Sequence, residues 1–362
     1  MLRKTRKMYQ MKAGMKVEEY RKDHFRVRTD LAVEERESFP GDGGEISGVE
    51  LREWEEEKSG VKLTEVIIRD EHGARTMGKP KGTYITLEAP ALLKKDEDFH
   101  KEVVEALAGQ LRHLLQERGI LRTCVSCEKG GQQGERGMKI GHVPSILVVG
   151  LGNPDATPDS LGPRVLDNLQ VTRHLSLEYG REFCEKNGYP ILSGITPGVM
   201  AQTGMETAEI IRGIVAETHP EAILVVDALA ARSVRRLGVT IQLSDTGIHP
   251  GSGVGNHRNS LTEESLGIPV FALGVPTVVG AAAIVHDTVG AMVEVLKREQ
   301  GIGSYGEYVE TMKPDEQYQL IREILEPEFG PMYVTPHDID ERVDFLSYTI
   351  SEAIHGALFY NK

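Results

Sequence analysis

Carboxylates follow several short apolar segments in the second half of the chain. Asp155 and Asp159 lie in the loop after Ile146–Val149, Asp227 directly follows Ile223–Val226, and Asp245 comes two positions after Val239–Leu243. In open α/β sheets, catalytic groups gather beyond the carboxyl ends of the strands. If these strands are parallel neighbours, two or three carboxylates converge on one crevice. One pKa in such a group rises, so that a pair can act as acid and base.

Each of these acids also has a structural interpretation. A single aspartate at a strand end is more often a helix N-cap or a turn residue than a catalytic group. Three of them on successive strand ends favour chemistry. Asp245-Thr246-Gly247 is also the tripeptide of pepsin-like aspartic proteases, but those proteins are all-β, and here the tripeptide occurs once in an α/β pattern. Asp245 is therefore the third choice among the acids.

Three other motifs are weaker evidence of a functional site than the aspartates. Gly150-Leu151-Gly152-Asn153-Pro154 lacks the third glycine of a dinucleotide-binding loop, which argues against a nucleotide cofactor. Cys124 and Cys127 have metal or redox spacing, but no second pair completes a zinc site, and two thiols in a variable insertion are the simpler interpretation. His249 and His257 flank a glycine-rich loop, where a surface position is more common than a catalytic one. The sequence predicts no cofactor.

The apolar pattern predicts an α/β fold. Short apolar segments alternate with helical stretches such as Glu206–Glu217 and Thr277–Arg298, which indicates a mostly parallel twisted sheet flanked by helices. Residues 31–90 predict a β-rich N-terminal addition, and Phe99–Glu117 a helix. The predicted organisation is a basic segment over 1–30 and a single α/β domain over 31–362. That domain carries a Gly-rich insertion over 119–142 and a polar surface excursion over 299–331.

Charge and cysteine content limit the class of protein. The net charge is −13, and residues 1–30 carry ten Lys or Arg against four Asp or Glu, so the rest of the chain carries −19. An acidic body disfavours direct nucleic-acid binding. No apolar run reaches the length of a membrane helix. Three cysteines do not form a disulfide framework, which favours a reducing, cytoplasmic compartment.

Long segments of the chain resemble the germination protease family of endospore-forming bacteria. The matching segments share their residue order over nearly the whole chain from about residue 25: Val27–Glu34, Gly78–Tyr84, Gly150–Asn153, Thr157–Val165, Thr172–His174, Pro197–Met200, Asp227–Ser233, Ser244–Asn256 and Tyr333–Pro336. The resemblance implies an atypical aspartic endopeptidase whose fold is similar to that of the hydrogenase-maturation endopeptidases.

The resemblance assigns roles to particular residues. It implies Asp159 and Asp227 as the catalytic pair, one ionised to deprotonate a water and the other protonated toward the scissile carbonyl. It implies no metal, protein substrates that are small acid-soluble spore proteins, a homotetramer, and a location in the cytoplasm of the forespore or spore core. It also implies a zymogen that removes its own N-terminal segment, and Thr29-Asp30-Leu31-Ala32 resembles the substrate cut site. We therefore expect cleavage between Asp30 and Leu31, with the basic segment held over an acidic crevice until mild acidification releases it.

Two alternatives stay open at this point. One is a metal-dependent maturation endopeptidase of the same fold, which a chelator would inactivate. The other is a non-catalytic peptide-binding relative, whose function would survive Asp159→Asn and Asp227→Asn.

Overall fold

A computed structural model describes residues 29–37, 46–56, 60–90, 92, 97–121, 142–249, 259–298 and 314–359. These residues form two compact units. The larger contains Thr29–Val279 together with the chain from Thr335 onward, and the smaller contains Gly280–Val334. The predicted Cys124 and Cys127 pair, His257 and most of the basic segment lie outside the described residues. Along the sequence, the chain leaves the larger unit at Gly280 and returns to it at Thr335.

A mixed sheet forms the centre of the larger unit. Within the described residues of this unit, the strands lie in the order β1-β2-β3-β7-β8-β6-β4-β5. Their bounds are β1 Val49–Glu55, β2 Lys62–Ile68, β3 Gly82–Glu88, β4 Ser145–Gly150, β5 Ile191–Ile195, β6 Ala222–Ala231, β7 Thr240–Ser244 and β8 Val270–Gly280. The neighbouring strands β5, β4, β6 and β8 are parallel, and the pairings from β8 through β7 and β3 to β1 are antiparallel. The predicted α/β class with a β-rich N-terminal addition is confirmed.

Helices cover both faces of the parallel strands. The helices of the larger unit are Ala32–Glu37, Glu71–Met77, Glu97–Glu117, Leu161–Asp167, Arg173–Tyr179, Arg181–Asn187, Met200–Thr203, Thr207–Thr218, Glu263–Leu266 and Ile339–Leu358. Side chains alternate between the faces along each strand. Val148 and Leu224 therefore pack in the cluster that contains the two long helices Glu97–Glu117 and Ile339–Leu358, while Val149 and Val225 pack in the cluster that contains Ile211. The two hydrophobic layers fix the strand ends on which the candidate site is built.

The smaller unit is mainly helical. It contains the helices Ala281–Arg298 and Pro314–Phe329 and the two-residue strand β9, Tyr333–Val334. The predicted irregular excursion over 299–331 is therefore corrected over its second half. Residues 314–329 are rich in Glu, Gln, Leu and Ile, which favour helix, and their apolar members recur at helical spacing. None of the helices in the described part of the chain combines the length and apolar character needed to cross a membrane.

Candidate active site

Asp227 is a buried acid inside the ten-residue central strand β6. The apolar run that precedes it gives β6 its position between β4 and β8, and β6 continues to Ala231. Gly150, the last residue of β4, pairs with Val226, so Asp227 is the first residue of β6 beyond the end of β4. Its side chain is only 6% exposed, and its Oδ1 accepts the N–H of Ala228 at 2.9 Å. The carboxylate therefore has a fixed place where the parallel ladder to β4 stops.

The loop after β4 holds Asp159 at the same edge of the sheet. Leu151 donates its N–H to the carbonyl of Val226 at 2.8 Å, which places the start of this loop against β6 just before Asp227. Asp159 ends a short 3₁₀ turn, and its Oδ2 accepts the N–H of Asn153 at 2.9 Å. Thr277 near the end of β8 donates to the carbonyl of Pro158 at 2.6 Å. The loop is thus bonded to both strands that flank the crevice.

Two glycines permit this close packing. Gly152 has a φ of +118°, and a Cβ there would lie 1.9 Å from the carbonyl oxygen of Asp159. Gly162 is the second residue of the helix Leu161–Asp167 that follows the loop. A Cβ there would lie 2.3 Å from the carbonyl oxygen of Leu151 and 2.6 Å from that of Val226. Contacts below 3 Å to backbone atoms are not tolerated by any side chain. Glycine at both positions therefore lets the loop that carries Asp159 pack closely against β6 just before Asp227.

The predicted cut site lies along the far part of β6. Asp30 donates its N–H to the carbonyl of Ala230 at 3.0 Å, and its carboxylate accepts the N–H of Ala230 at 2.9 Å. Leu31 is completely buried. Glu34 accepts the N–H groups of Arg232 at 2.7 Å and Ser233 at 3.0 Å. The segment Thr29–Glu34 is therefore bonded to the end of β6 and to the two residues after it, with Glu34 already in the helix Ala32–Glu37.

Gln242 of β7 joins this segment to the sheet face that carries Asp227. Its Nε2 donates to the carbonyl of Asp30 at 3.1 Å, and its Oε1 accepts the N–H of Ala32 at 2.7 Å. Gln242 pairs with Gly274 of β8, and Gly274 pairs with Asp227. Residues that pair directly in a sheet point to the same face, and two strands span about 10 Å. The Asp30–Leu31 bond and Asp227 therefore belong to one sheet face, on which the side chain of Leu229 lies over Gly274.

Two groups in or near the segment Thr29–Glu34 have pKa values shifted from their ordinary range. Burial raises the pKa of the Glu34 carboxyl, and the hydrogen bond from Thr29 and those from the backbone oppose that rise in part. Desolvation, followed by the positive charge of Lys79, lowers the pKa of the His249 imidazole, while Asp30 opposes the shift. The structure thus brings His249 within electrostatic reach of the predicted cut site, although its side chain keeps substantial exposure to solvent.

Asp245 does not join the other two acids, which corrects the expectation of three converging carboxylates. β7 runs antiparallel to β8, so its carboxyl end faces the opposite way from those of β4 and β6. Asp245 lies three residues beyond Gln242, which is about 10 Å further along the strand. Its Oδ1 accepts the N–H of Thr83 at 2.7 Å, and burial raises the pKa of this carboxyl. Its described role is to bond the start of β3.

Asp245→Asn is expected to leave proteolysis within tenfold of the wild type, less than about 1.4 kcal/mol in transition-state free energy. Asparagine keeps the acceptor for Thr83 but cannot ionise. Because the folded-state pKa of Asp245 is raised, the wild type loses stability relative to the variant as pH rises through the interval above the unfolded-state pKa. Urea unfolding at several pH values, beside a peptidase assay, checks both statements. A loss of activity comparable to that of Asp227→Asn would restore Asp245 to the site.

Lys79 and Gln242 are the site residues that the sequence analysis did not single out. Lys79 donates from Nζ to the carbonyl of Asp30 at 3.0 Å. The sequence feature that could have identified Gln242 is its position as a polar residue inside the buried strand Thr240–Ser244. For Lys79 the signal was only its place in the segment Gly78–Tyr84, which matched the family as a whole.

The fold and the site define a class of protein. Two acids lie at the carboxyl edge of neighbouring parallel strands, and the segment Thr29–Leu31 is hydrogen-bonded to the end of β6, an arrangement suited to a hydrolase of α/β architecture that acts on peptide bonds.

The chain belongs to the germination protease family, whose family model matches residues 27–131 and 135–305. It is 44% identical to the germination protease of Caldanaerobacter subterraneus over 92% of this chain and 94% of that one. It is 40% identical to that of Clostridium tetani over 92% and 95%, and 38% identical to that of Bacillus velezensis over 95% and 96%. The predicted family is thus confirmed, and the protein is a protease with protein substrates.

A comparison with solved structures pairs the chain with the [NiFe] hydrogenase maturation protease HycI of Thermococcus kodakarensis. The sequence identity is 17%, over 60% of this chain and 96% of that one, and the TM-score is 0.28. A TM-score of this size does not support a shared fold.

Proposed function

We propose that this protein is an aspartic endopeptidase made as a zymogen, which removes residues 1–30 by cleaving between Asp30 and Leu31. Asp159 and Asp227 are the acid and base of the reaction. The observation that carries the proposal is the bound segment Thr29–Ala32. It is hydrogen-bonded to β6 and to Gln242, on the sheet face to which Asp227 belongs.

The bound segment has the features of a substrate in an extended site. Its backbone donates one hydrogen bond, from the N–H of Asp30 to the carbonyl of Ala230, to the strand that contains Asp227, and main-chain bonding to a sheet is a common way to align a peptide. Its acidic side chain is bonded by the N–H of Ala230, and its large apolar side chain is fully buried. A site that takes an acid before the cut and a large apolar residue after it matches the expected cut in small acid-soluble spore proteins, which we propose as the substrates in the cell.

The two aspartates supply the proton transfers. One carboxylate takes a proton from the attacking water while the other, protonated, gives one to the leaving amine of Leu31. The reaction adds one water across the peptide bond and leaves a carboxylate on Asp30 and an amine on Leu31. This division of roles requires one carboxyl group to be ionised and the other protonated when the peptide is bound.

The remaining family properties are part of the same proposal. We propose a homotetramer, a location in the cytoplasm of the forespore or spore core, and catalysis without a metal. Light scattering on the purified protein tests the tetramer. Activity that persists in excess chelator supports a reaction without metal, whereas loss of activity with recovery on adding nickel would favour the metal-dependent alternative.

Intact mass spectrometry tests self-processing. We expect full-length protein at mildly acidic pH to lose residues 1–30 and to start at Leu31. The rate constant is expected to be independent of protein concentration, because the segment is bound by its own chain. Cleavage at another bond would contradict the assignment of Asp30 and Leu31, and a rate that rises with concentration would indicate cleavage between molecules. A chain that stays intact at every pH would contradict self-processing, while the assignment of the protein as a protease would stand.

A further inference from the structure

We propose that Lys79 and Gln242 form the site that stabilises the oxyanion during cleavage of the Asp30–Leu31 bond. The inference rests on the proposed self-processing and adds two residues to it. Lys79 Nζ lies 3.0 Å and Gln242 Nε2 lies 3.1 Å from the carbonyl oxygen of Asp30. Both are hydrogen-bond distances to the ground-state carbonyl oxygen, which is the atom that becomes the oxyanion when the carbonyl is attacked.

The chemistry of the two donors fits that role. When the water oxygen attacks the carbonyl carbon of Asp30, the carbonyl oxygen gains a negative charge. The charge returns to the C=O bond as the bond to the Leu31 nitrogen breaks. The ammonium of Lys79 binds a charged oxygen far better than a neutral one, so this contact stabilises the transition state more than the bound peptide. The amide N–H of Gln242 adds a second, neutral donor.

These contacts also change the task of the second aspartate. A carbonyl oxygen has two lone pairs, and the two donors match them in number. The aspartate predicted to hydrogen-bond the scissile carbonyl is then needed chiefly to protonate the leaving amine. Lys79 lies outside the strands, in the turn before β3, whereas Gln242 is fixed within β7. Two separate elements thus converge on one oxygen atom.

Gln242 has a second contact that sets the position of the bond. Its Oε1 accepts the N–H of Ala32 while its Nε2 donates to the carbonyl of Asp30, so one side chain is hydrogen-bonded to the backbone on both sides of Leu31. Gln242→Glu keeps the acceptor for Ala32 and removes the donor to Asp30. Lys79→Met removes the charge at similar length, and Lys79→Arg restores a cationic donor. Lys81→Met is the matched control, because Lys81 is exposed and pairs with Glu71 instead.

The experiment measures the self-cleavage rate of each full-length variant by intact mass spectrometry at mildly acidic pH. We expect Lys79→Met and Gln242→Glu to be slower by about 10²- to 10³-fold, the effect of losing one oxyanion donor. Lys79→Arg is expected to recover much of that loss. Lys81→Met is expected to cut at the wild-type rate. Wild-type rates in both Lys79→Met and Gln242→Glu would overturn the inference.

A second measurement separates stabilisation of the oxyanion from simple anchoring of the segment. Asp-Leu occurs once in the sequence, so labelling Asp with ¹³C at the carbonyl and Leu with ¹⁵N isolates the Asp30–Leu31 peptide in an HNCO spectrum. In the Asp227→Asn background, we expect Lys79→Met to shift the Asp30 carbonyl while the Leu31 amide keeps its folded-state position. A Leu31 amide at random-coil values would show that Lys79 only anchors the segment, and would overturn the inference. A wild-type signal that never disappears on acidification would instead overturn self-processing and the oxyanion site with it.

Discussion

Asp227→Asn is expected to reduce self-cleavage and proteolysis of added substrate by about 10³- to 10⁴-fold, the upper part of the range for general acid–base catalysis. Asparagine has the same shape and keeps an oxygen to accept the N–H of Ala228, so the variant is expected to fold. It cannot exchange a proton with water or with the leaving amine. Asp159→Asn is expected to have a similar effect, because its side-chain oxygen can still accept the N–H of Asn153.

Asp155→Asn is the matched control for both variants. Asp155 lies in the same loop as Asp159 but is exposed, and the same substitution there removes a charge without touching the strand edge. We expect it to cut within a few-fold of the wild type. The measurement is the rate of loss of residues 1–30, with circular dichroism to verify folding. A folded Asp227→Asn that still processes itself would exclude Asp227 from the chemistry and favour the peptide-binding alternative.

Gly162→Ala is expected to lower the free energy of unfolding by about 3 kcal/mol or more. The added Cβ would lie 2.3 Å from the carbonyl oxygen and 2.5 Å from the nitrogen of Leu151, and 2.6 Å from the carbonyl oxygen of Val226. All three are backbone atoms, of Leu151 just after β4 and of Val226 within β6, so no rotamer change relieves the contact. The helix Leu161–Asp167 has to move away, and Asp159 with it, so activity is expected to fall as well.

Gly109→Ala is the control for this substitution. Gly109 is an exposed position of the helix Glu97–Glu117, and a Cβ there meets no atom within 4 Å. Alanine is expected to raise stability by about 0.5 to 1 kcal/mol, because glycine loses more backbone entropy in a helix. Urea denaturation of both variants gives the comparison. A Gly162→Ala protein within 1 kcal/mol of the wild type would contradict the close approach of the loop and the two strand ends.

The sequence by itself determined many of the elements and the family, and it predicted two of the acids. Apolar runs of four or five residues predicted β4, β6, β7 and β8, and helical periodicity predicted Glu97–Glu117 to within two residues. Both worked because the spacing of apolar residues along the sequence follows the period of the strand or helix that buries them. Asp159 and Asp227 were found because each follows such a run. Their roles as catalytic groups stay predictions. The strand β5 was missed because Ser193 and Gly194 interrupt its short apolar pattern.

The tertiary structure decided which of these groups meet. An apolar run predicts a strand but not its direction, and the antiparallel direction of β7 is what carries Asp245 away from Asp227. The same reversal aligns Gln242 with Gly274 and Asp227 on one sheet face. Gln242 also accepts a hydrogen bond from Ala32, which lies 210 residues away in the sequence. Hydrogen bonds over such separations depend on strand order and register. Those are set by the packing of whole helices on the sheet, a property that no local pattern of residues contains.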